Sequence, residues 1–446
     1  MWLLVLLLLC VAFIVLATTK LRLHPFLALL IATFAFGLLC GKMSLDKVVT
    51  SVNEGFGGTI GYIGIVILAG AIIGTFLEKS GGALRLAQST LDLVGKRNVP
   101  LAMGIIGYIV SIPVFCDSAF VILFPLAKAL SRKARASLAA CAIALSLGLY
   151  ATHTMVPPTP GPVAAAVILE ADLGRVILWG ALVSIIALIA GWLFAILVAA
   201  KVKIEQTDDN EPQTTAEVPP DAPSPAKALM PILAPIALIV LGSISDLPSQ
   251  PFGQARVATV IGFIGQPVVA LLLGVGLAML LPKKLDREML SASGWVGQAV
   301  VAAATIIIIT GCGGAFGKVL QNSGIADELK VYLKEYNLSI WLPFIIAAAL
   351  KTAQGSSTVA ITTTAGIVFS LLEPLGLTSP TARALAVVAI GAGSMVVSHV
   401  NDSYFWVVTG LSGMTVKQGY KLQALGTLVE GGVAAVALWC ISALVL

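Results

Sequence analysis

A chain of 446 residues that is 58% hydrophobic and 11% charged carries well under half the charge of an ordinary soluble protein. With a mean hydropathy of +1.00, it reads as an all-α polytopic membrane protein. The formal net charge of +5 comes from Lys and Arg in short loops between apolar runs, where basic residues act as orientation signals, so it does not point to nucleic acid.

From the N-terminus, Met1 to Ala17 has neither a basic leading region nor a convincing cleavage site, and it reads as a retained first span. Further apolar runs fall near 25–40, 60–77, 100–130, 137–168 and 176–200, and a second set near 228–245, 257–281, 296–320, 340–372, 384–411 and 422–446. Between the sets, residues 201–227 hold Asp208-Asp209-Asn210-Glu211 and Pro219-Pro220-Asp221-Ala222-Pro223-Ser224-Pro225. Such a polar, Pro-rich stretch cannot bury a core and is expected to be a flexible cytoplasmic linker between membrane repeats 1–200 and 228–446. The six cysteines lie in or beside apolar stretches without metal-ligand spacing, so neither a disulfide nor a metal site is expected.

Each half says the same unusual thing. An apolar run breaks at Ile112-Pro113-Val114-Phe115-Cys116-Asp117-Ser118 and again at Thr152-His153-Thr154 with Val156-Pro157-Pro158-Thr159-Pro160. The second half breaks at Ala353-Gln354-Gly355-Ser356-Ser357-Thr358 and at Ser398-His399-Val400-Asn401-Asp402-Ser403. Lipid cannot hydrogen-bond a broken backbone, so such breaks survive at membrane depth only where they line a protected cavity. Paired breaks in matching halves point to a transport site.

Charge decides how the broken runs sit. Arg85, Lys96 and Arg97 precede the fourth run, and Lys128, Arg132, Lys133 and Arg135 follow it, so a plain crossing would put a basic flank on both faces. A re-entrant hairpin avoids this, with arms Leu101 to Ile112 and Ala119 to Leu130 of about 12 residues, roughly 18 Å each. The run around Gln354 to Ser357, with Asp327, Glu328, Lys330, Lys334 and Glu335 before it and Glu373 and Arg383 after it, has no basic excess and is expected to enter from the opposite face. Each half then crosses about five times, and the two repeats are inverted, with both termini outside. Twelve plain spans are the alternative. The run Leu77-Glu78-Lys79-Ser80-Gly81 also matches Leu320-Gln321-Asn322-Ser323-Gly324, and each precedes an amphipathic segment, Ala83 to Val94 and Ala326 to Tyr336.

Every break presents a helix start, with free N–H groups and partial positive charge, to the protein centre. Asp117 or Ser118, Ser356 or Ser357, and Asp402 or Ser403 can cap such starts, and Thr159 before Pro160 has the preferred N-cap pairing. Converging, these ends would cradle a carboxylate, with hydroxyls of Ser118, Thr159, Ser356, Ser357 and Thr358 binding a polyol chain. Plain capping explains each residue taken singly. Asp117 and Asp402, ionisable at bilayer depth, are the stronger candidates for proton or ion coupling. His153 and His399 either share that task or satisfy backbone carbonyls, and Lys351 either draws the substrate's charge or snorkels. A thiol at position 116 or 355 is expected to meet water-soluble reagents. No HExxH, Walker A or credible Ser/His/Asp set appears outside the breaks, so the chain is not read as an enzyme. An embedded hydrolase using Ser356 or Ser357 and a sodium/proton antiporter using Asp117 and Asp402 are the rival readings.

At these residues the chain resembles the gluconate permease family of ion-coupled transporters. The likeness is clearest in His24-Pro25-Phe26-Leu27-Ala28-Leu29, Gly57-Gly58-Thr59, Val156-Pro157-Pro158-Thr159-Pro160-Gly161-Pro162, Gln354-Gly355-Ser356-Ser357-Thr358-Val359-Ala360 and Ser398-His399-Val400-Asn401-Asp402-Ser403 with Phe405-Trp406. The resemblance implies a proton symporter of the bacterial inner membrane for gluconate, another sugar acid or a small carboxylate such as D-serine. It also implies elevator-like movement against a static, dimeric scaffold and no cofactor beyond the coupling ion, a proton or Na+. Substrate contacts fall on Ser118, Thr159, Gln354, Gly355, Ser356, Ser357, Thr358, Asn401 and Ser403, and proton coupling on Asp117, His153, His399 and Asp402. Thr159, where several relatives place a His, and Cys116-Asp117-Ser118, where the tip varies, leave room for a shorter hydroxy acid.

Overall fold

A computed structural model describes residues 2–95, 98–204, 218–245, 256–325, 338–399 and 402–446. Lys96, Arg97, the middle of the linker, the segment Ala326 to Tyr336 with its charges, Val400 and Asn401 lie outside the described residues. Among those described, every regular element is helical. The first half runs α1 (Trp2–Thr19), α2 (Pro25–Leu39), α3 (Leu45–Lys79), α4 (Gly82–Val94), α5 (Val99–Val110), α6 (Cys116–Ala134), α7 (Leu138–Met155), α8 (Pro160–Ile168) and α9 (Leu173–Leu197). The second runs α10 (Pro225–Ser245), α11 (Arg256–Ile264), α12 (Pro267–Met279), α13 (Trp295–Asn322), α14 (Trp341–Gln354), α15 (Ser357–Phe369), α16 (Pro380–Met395), α17 (Ser403–Ser412) and α18 (Val416–Val445). Six described helical spans are long and apolar enough to cross a membrane, or seven if the bent pair of α11 and α12 counts as one.

Local chemistry sets the ends. Pro25, Pro160, Pro267 and Pro380 stand in the first turn of their helices, where the missing N–H costs nothing and the fixed φ suits the helix. α3 and α13 stop alike. Ser80 and Ser323 are their C-caps, each followed by a glycine at φ near +70°, Gly81 and Gly324, which closes the last turn in the left-handed region. One break went unforeseen: the run at 257–281 bends by 68° between α11 and α12, ahead of Pro267. Another expectation was too short. α6 continues to Ala134 with Pro125 inside it, so the second arm of the first broken run has 19 residues, not about 12.

Equivalent helices of the two halves pack antiparallel. At one end of the α3–α13 pair, the Asn322 amide donates to Ser51 Oγ at 2.8 Å; at the other, the Phe76 and Trp295 rings lie 5.1 Å apart. α9 and α18 likewise pass in opposite directions, since Gly191 meets Glu430 while Gly426 meets Phe194. Contacts between halves also exchange: α2 packs on α13 as α12 packs on α3, and α8 packs on α15 as α17 packs on α6.

The connections gather at two ends of the bundle. At one, Arg383 Nη1 donates to Glu170 Oε2 at 2.8 Å and to Leu169 O at 3.0 Å, and Arg175 Nη1 donates to Thr381 Oγ1 at 3.0 Å. The Ser243 hydroxyl meets Asp172 there at 2.9 Å. At the other end, Lys283 pairs with Asp221 at 2.7 Å, Gln418 Nε2 donates to Lys203 O at 3.0 Å, and Gly81 abuts Pro219 and Ala222. The Trp2 indole bonds Leu39 O at 3.0 Å, which places the start of α1 beside the end of α2.

Candidate functional site

The breaks fall at 111–115, 156–159, 355–356 and 396–399 with Asp402, and the residues beside them bring charged and aromatic groups to one place. α14 ends at Gly355, whose φ of +92° is open to glycine and strained for other residues. Lys351, one turn earlier, is wholly buried. Its ammonium donates to Gly355 O and to Asp402 Oδ2 at 2.5 Å. It also stands 5.6 Å from the centre of the Tyr150 ring, within cation–π range.

Asp402 is the N-cap of α17, and its Oδ1 accepts the Tyr404 amide at 3.1 Å. Its Oδ2 accepts the Ser398 hydroxyl at 2.5 Å and the Tyr150 phenol at 3.4 Å, besides Lys351. The carboxylate therefore has four donors, one of them a counter-charge, the condition under which a buried charge is tolerated. Ser398 is fixed in turn, because its amide donates to Thr427 Oγ1 at 3.0 Å.

Aromatic rings wall this pair. Tyr150 lies tilted against Tyr404 at 5.0 Å and parallel to the His153 imidazole at 6.4 Å, and Phe115 meets His153 edge-on at 6.3 Å. Ser357, in the first turn of α15, reaches the Tyr150 phenol as a hydrogen-bond partner. Cys116 and Asp117, at the start of α6, lie within electrostatic reach of both Lys351 and Asp402. Asp117 Oδ1 and His153 Nδ1 are buried without a hydrogen-bond partner among the described groups, so two polar atoms next to the pair are left unanswered.

The structure thus gathers Asp117, His153, Gly355, Ser357 and Asp402 around Lys351. The other predicted residues fall differently. Phe115, not Asp117 or Ser118, is the N-cap of α6, and it makes no side-chain cap bond; Asp117 and Ser118 stand in the first turn, aligned with the positive helix end without closing it. Ser356 does cap α15, accepting the Val359 amide, and is exposed, while Thr358 follows half-buried in that helix. Thr159 is the N-cap of α8, yet its hydroxyl donates to Val156 O at 2.6 Å. His399 bonds Thr352 O at 2.8 Å and lies 6.1 Å from the Tyr420 ring, outside the cluster. Ser403 is exposed. The Gln354 side chain and Asn401 lie outside what is described. Cys116 and Gly355 are both buried, so the expected thiol accessibility there does not hold in this conformation.

Close backbone approach holds the tips. A Cβ at Gly74 of α3 would stand 2.2 Å from Pro113 O, and one at Gly70 would stand 3.3 Å from Pro158 O, so α3 grips both breaks of its own half through glycine. A cavity of about 860 Å³ opens between α3 and α13 on one side and the ends of α8 and α15 on the other. Glu54, Thr59, Glu170, Lys318 and Arg383 are among its lining residues. None of the cluster around Lys351 lines it. It lies toward the outer end of α8, whose inner end is Thr159.

A family model for GntP family permeases matches residues 2–445. The chain belongs to the GntP permease family. It is a multi-pass membrane transporter and not an enzyme. A protein named gluconate permease from Pseudomonas aeruginosa is 35% identical over 90% of this chain and 89% of its own length. The D-serine transporter DsdX of Escherichia coli K12 is 33% identical over 97% of this chain and 96% of its own. The crystal structure of the Alcanivorax borkumensis YdaH transporter, described as having an unusual topology, aligns with a TM-score of 0.69 at 15% identity, covering 95% of this chain and 99% of that one; this likeness concerns the fold alone.

What sequence reading missed in this permease are the aromatic wall and a carboxylic acid. Tyr150 and Tyr404 flank the motifs by one to three residues, and only the fold shows that they meet. Glu430, wholly buried in α18, was the one acidic residue in the apolar run 422–446, and a lone ionisable group at membrane depth is itself a signal.

Proposed function

We propose that this permease imports a small hydroxylated carboxylate, a gluconate-like sugar acid or hydroxy acid, by proton symport across the bacterial inner membrane. The observation that carries the reading is the buried Lys351–Asp402 pair at the meeting of a helix break and a helix start. A substrate carboxylate needs a cation in this dry site, and the ammonium is already held by Asp402. Protonating Asp402 removes its claim on Lys351 and frees the ammonium for the substrate, which also meets the helix start of α15 and the hydroxyl of Ser357. One proton and one anion would then enter together, and binding would strengthen as the pH on the uptake side falls.

In this reading the pairs α5–α6 and α14–α15 are re-entrant hairpins of two inverted repeats. The antiparallel pairing of α3 with α13 and of α9 with α18 supports the inversion. Hairpins and broken helices would move as an elevator past a scaffold containing α3 and α13, in a homodimer, with the 860 Å³ cavity as the way in from the outer face. A second reading has its own support: the cluster holds one ammonium and two carboxylates, Asp117 and Asp402, so a zwitterionic amino acid such as D-serine could place its carboxylate on Lys351 and its ammonium on Asp117.

Purified protein in liposomes, offered labelled gluconate, glycerate or D-serine with and without an inward pH gradient, tests the proposal. Gradient-driven accumulation of a hydroxy acid is the expected result. Accumulation of D-serine alone would favour the second reading. Sodium-dependent proton flux without any organic solute would replace both with an antiporter.

A further inference from the structure

Glu430 lies in α18, wholly buried, and neither carboxyl oxygen has a hydrogen-bond partner among the described groups. Its Oε1 rests against α9, 3.2 Å from where a Cβ would stand at Gly191. Glycine also brings α18 close to its neighbours: Gly426 faces Phe194 of α9 and Leu147 of α7, and a Cβ at Gly431 would stand 2.8 Å from Ala392 O of α16. A π turn, Tyr420–Ala424, interrupts α18 just before this stretch, a local unwinding often found at functional sites.

Among the described residues, no basic side chain faces Glu430. α9 and α16 carry their arginines, Arg175 and Arg383, at the far end, where both are bonded to the 169–172 and 378–381 connections. On α14, Lys351 is held by Asp402 and Gly355. α7 carries Cys141, Tyr150 and His153, and α17 carries Tyr404, which is the ionisable group that feels Glu430 electrostatically. On α18 itself Lys417 and Lys421 sit in the first two turns, and Cys440 at the opposite end is exposed. An ionised Glu430 would have neither counter-charge nor hydrogen-bond donor among the described residues, a costly condition for a buried ion.

About two turns earlier, Gln423 is also wholly buried. Its Oε1 accepts the Ser146 hydroxyl at 2.9 Å, and its Nε2 has no partner. The Ser146 carbonyl accepts the Tyr404 phenol at 3.0 Å, and Tyr404 leads through its amide to Asp402. Polar contacts thus run from Gln423, on the same helix as Glu430, to the substrate cluster, and Gln423 brings an unsatisfied donor to that helix.

We propose that Glu430 is a second proton-binding site of the transport cycle, holding a proton while α18 is closed on α9 and giving it to water when that contact opens. The O–H bond of the acid breaks, water takes the proton, and the carboxylate left behind stays hydrated until it is reprotonated and the helices close again. Proton occupancy and closure are linked, so each stabilises the other by the same factor. The proposal rests on the proton-symport reading and adds a proton to the one assigned to Asp402.

The test compares the full-length protein with Glu430→Gln, an isostere of the neutral acid, in liposomes. For each coupled proton, a gradient of one pH unit raises the accumulation ratio tenfold, since one unit corresponds to 1.36 kcal/mol. The variant is expected to accumulate labelled gluconate or D-serine, whichever the parent carries, about tenfold less under that gradient. The infrared carbonyl band of a protonated carboxylic acid is expected in the parent at neutral pH and lost in the variant. Unchanged accumulation, or a parent spectrum with no band that the variant loses, overturns the assignment of Glu430 while leaving symport standing. A parent that moves neither solute with protons overturns the transport reading and this inference together.

Discussion

Removing one member of the Lys351–Asp402 pair should be far more damaging than removing both. At 2.5 Å and an effective dielectric constant of about 20, the gross attraction is about 7 kcal/mol, much of it offset by the cost of burying both charges. Asp402→Asn leaves a wholly buried ammonium facing neutral oxygens and the Tyr150 ring, with the Asp117 carboxylate within electrostatic reach but not bonded to it. Lys351→Met leaves a carboxylate that still has the Ser398 and Tyr150 hydroxyls and the Tyr404 amide. Breaking a buried pair typically costs about 3–5 kcal/mol, and the surviving donors place Lys351→Met at the lower end of that range and Asp402→Asn at the upper. The double variant removes both charges and should recover at least about 2 kcal/mol relative to the sum of the singles. Reversible unfolding in mixed lipid–detergent micelles, titrated with SDS, gives the four free energies of the cycle. Uptake measured alongside should stay absent in the double variant, because a stable site without an ammonium has nothing to hold the carboxylate. Singles that add within about 0.5 kcal/mol, or a double variant that transports normally, would refute the reasoning.

Gly74→Ala should destabilise by about 1–3 kcal/mol, because its Cβ would meet the Pro113 carbonyl at 2.2 Å, whereas Gly276→Ala on α12, with open space around it, should be neutral or slightly stabilising; thermal melts of the purified proteins check both. Lys318→Glu, at the wall of the cavity, should raise KM for an anionic substrate with little change in kcat, and the effect should shrink as salt is added. A thiol introduced at exposed position 356 (Ser356→Cys) should react with a water-soluble maleimide and be protected by substrate, while buried Cys116 stays unlabelled in this conformation; mass spectrometry of the labelled peptides reads both. Tyr404→Phe, which loses the bond to Ser146 O, should lower stability by about 1 kcal/mol.

Several features were legible in the amino-acid order because they depend on one residue and its immediate neighbours. Proline in the first helical turn, glycine after Ser80 and Ser323, and polar residues inside apolar runs mark where helices start and stop. The breaks therefore fall where the sequence placed them, and Ser356 and Asp402 cap the helices that were expected to follow. The bend before Pro267 was missed, since an apolar run of unbroken composition hides a turn whose only marks are Gly265-Gln266-Pro267. The extra length of α6 was missed because the basic residues from Lys128 to Arg135 were read as a flank after the apolar run, yet the helix continues to Ala134.

Which side chains meet was another matter. Lys351 and Asp402 are 51 positions apart and Tyr150 is 252 from Asp402, and no local rule couples such distances. Hydropathy and turn chemistry act over a helical turn, so the order of residues by itself settled that this is a membrane protein, where its helices break and which polar residues stand at the breaks. Only the packing of α7, α14 and α17 decided that Asp402 would have an ammonium as partner and that His399 would sit apart, and only that of α9 on α18 left Glu430 without one among the described residues. Burial and pairing of a charge belong to the assembled bundle, because each is fixed by what other helices bring to the same few ångströms.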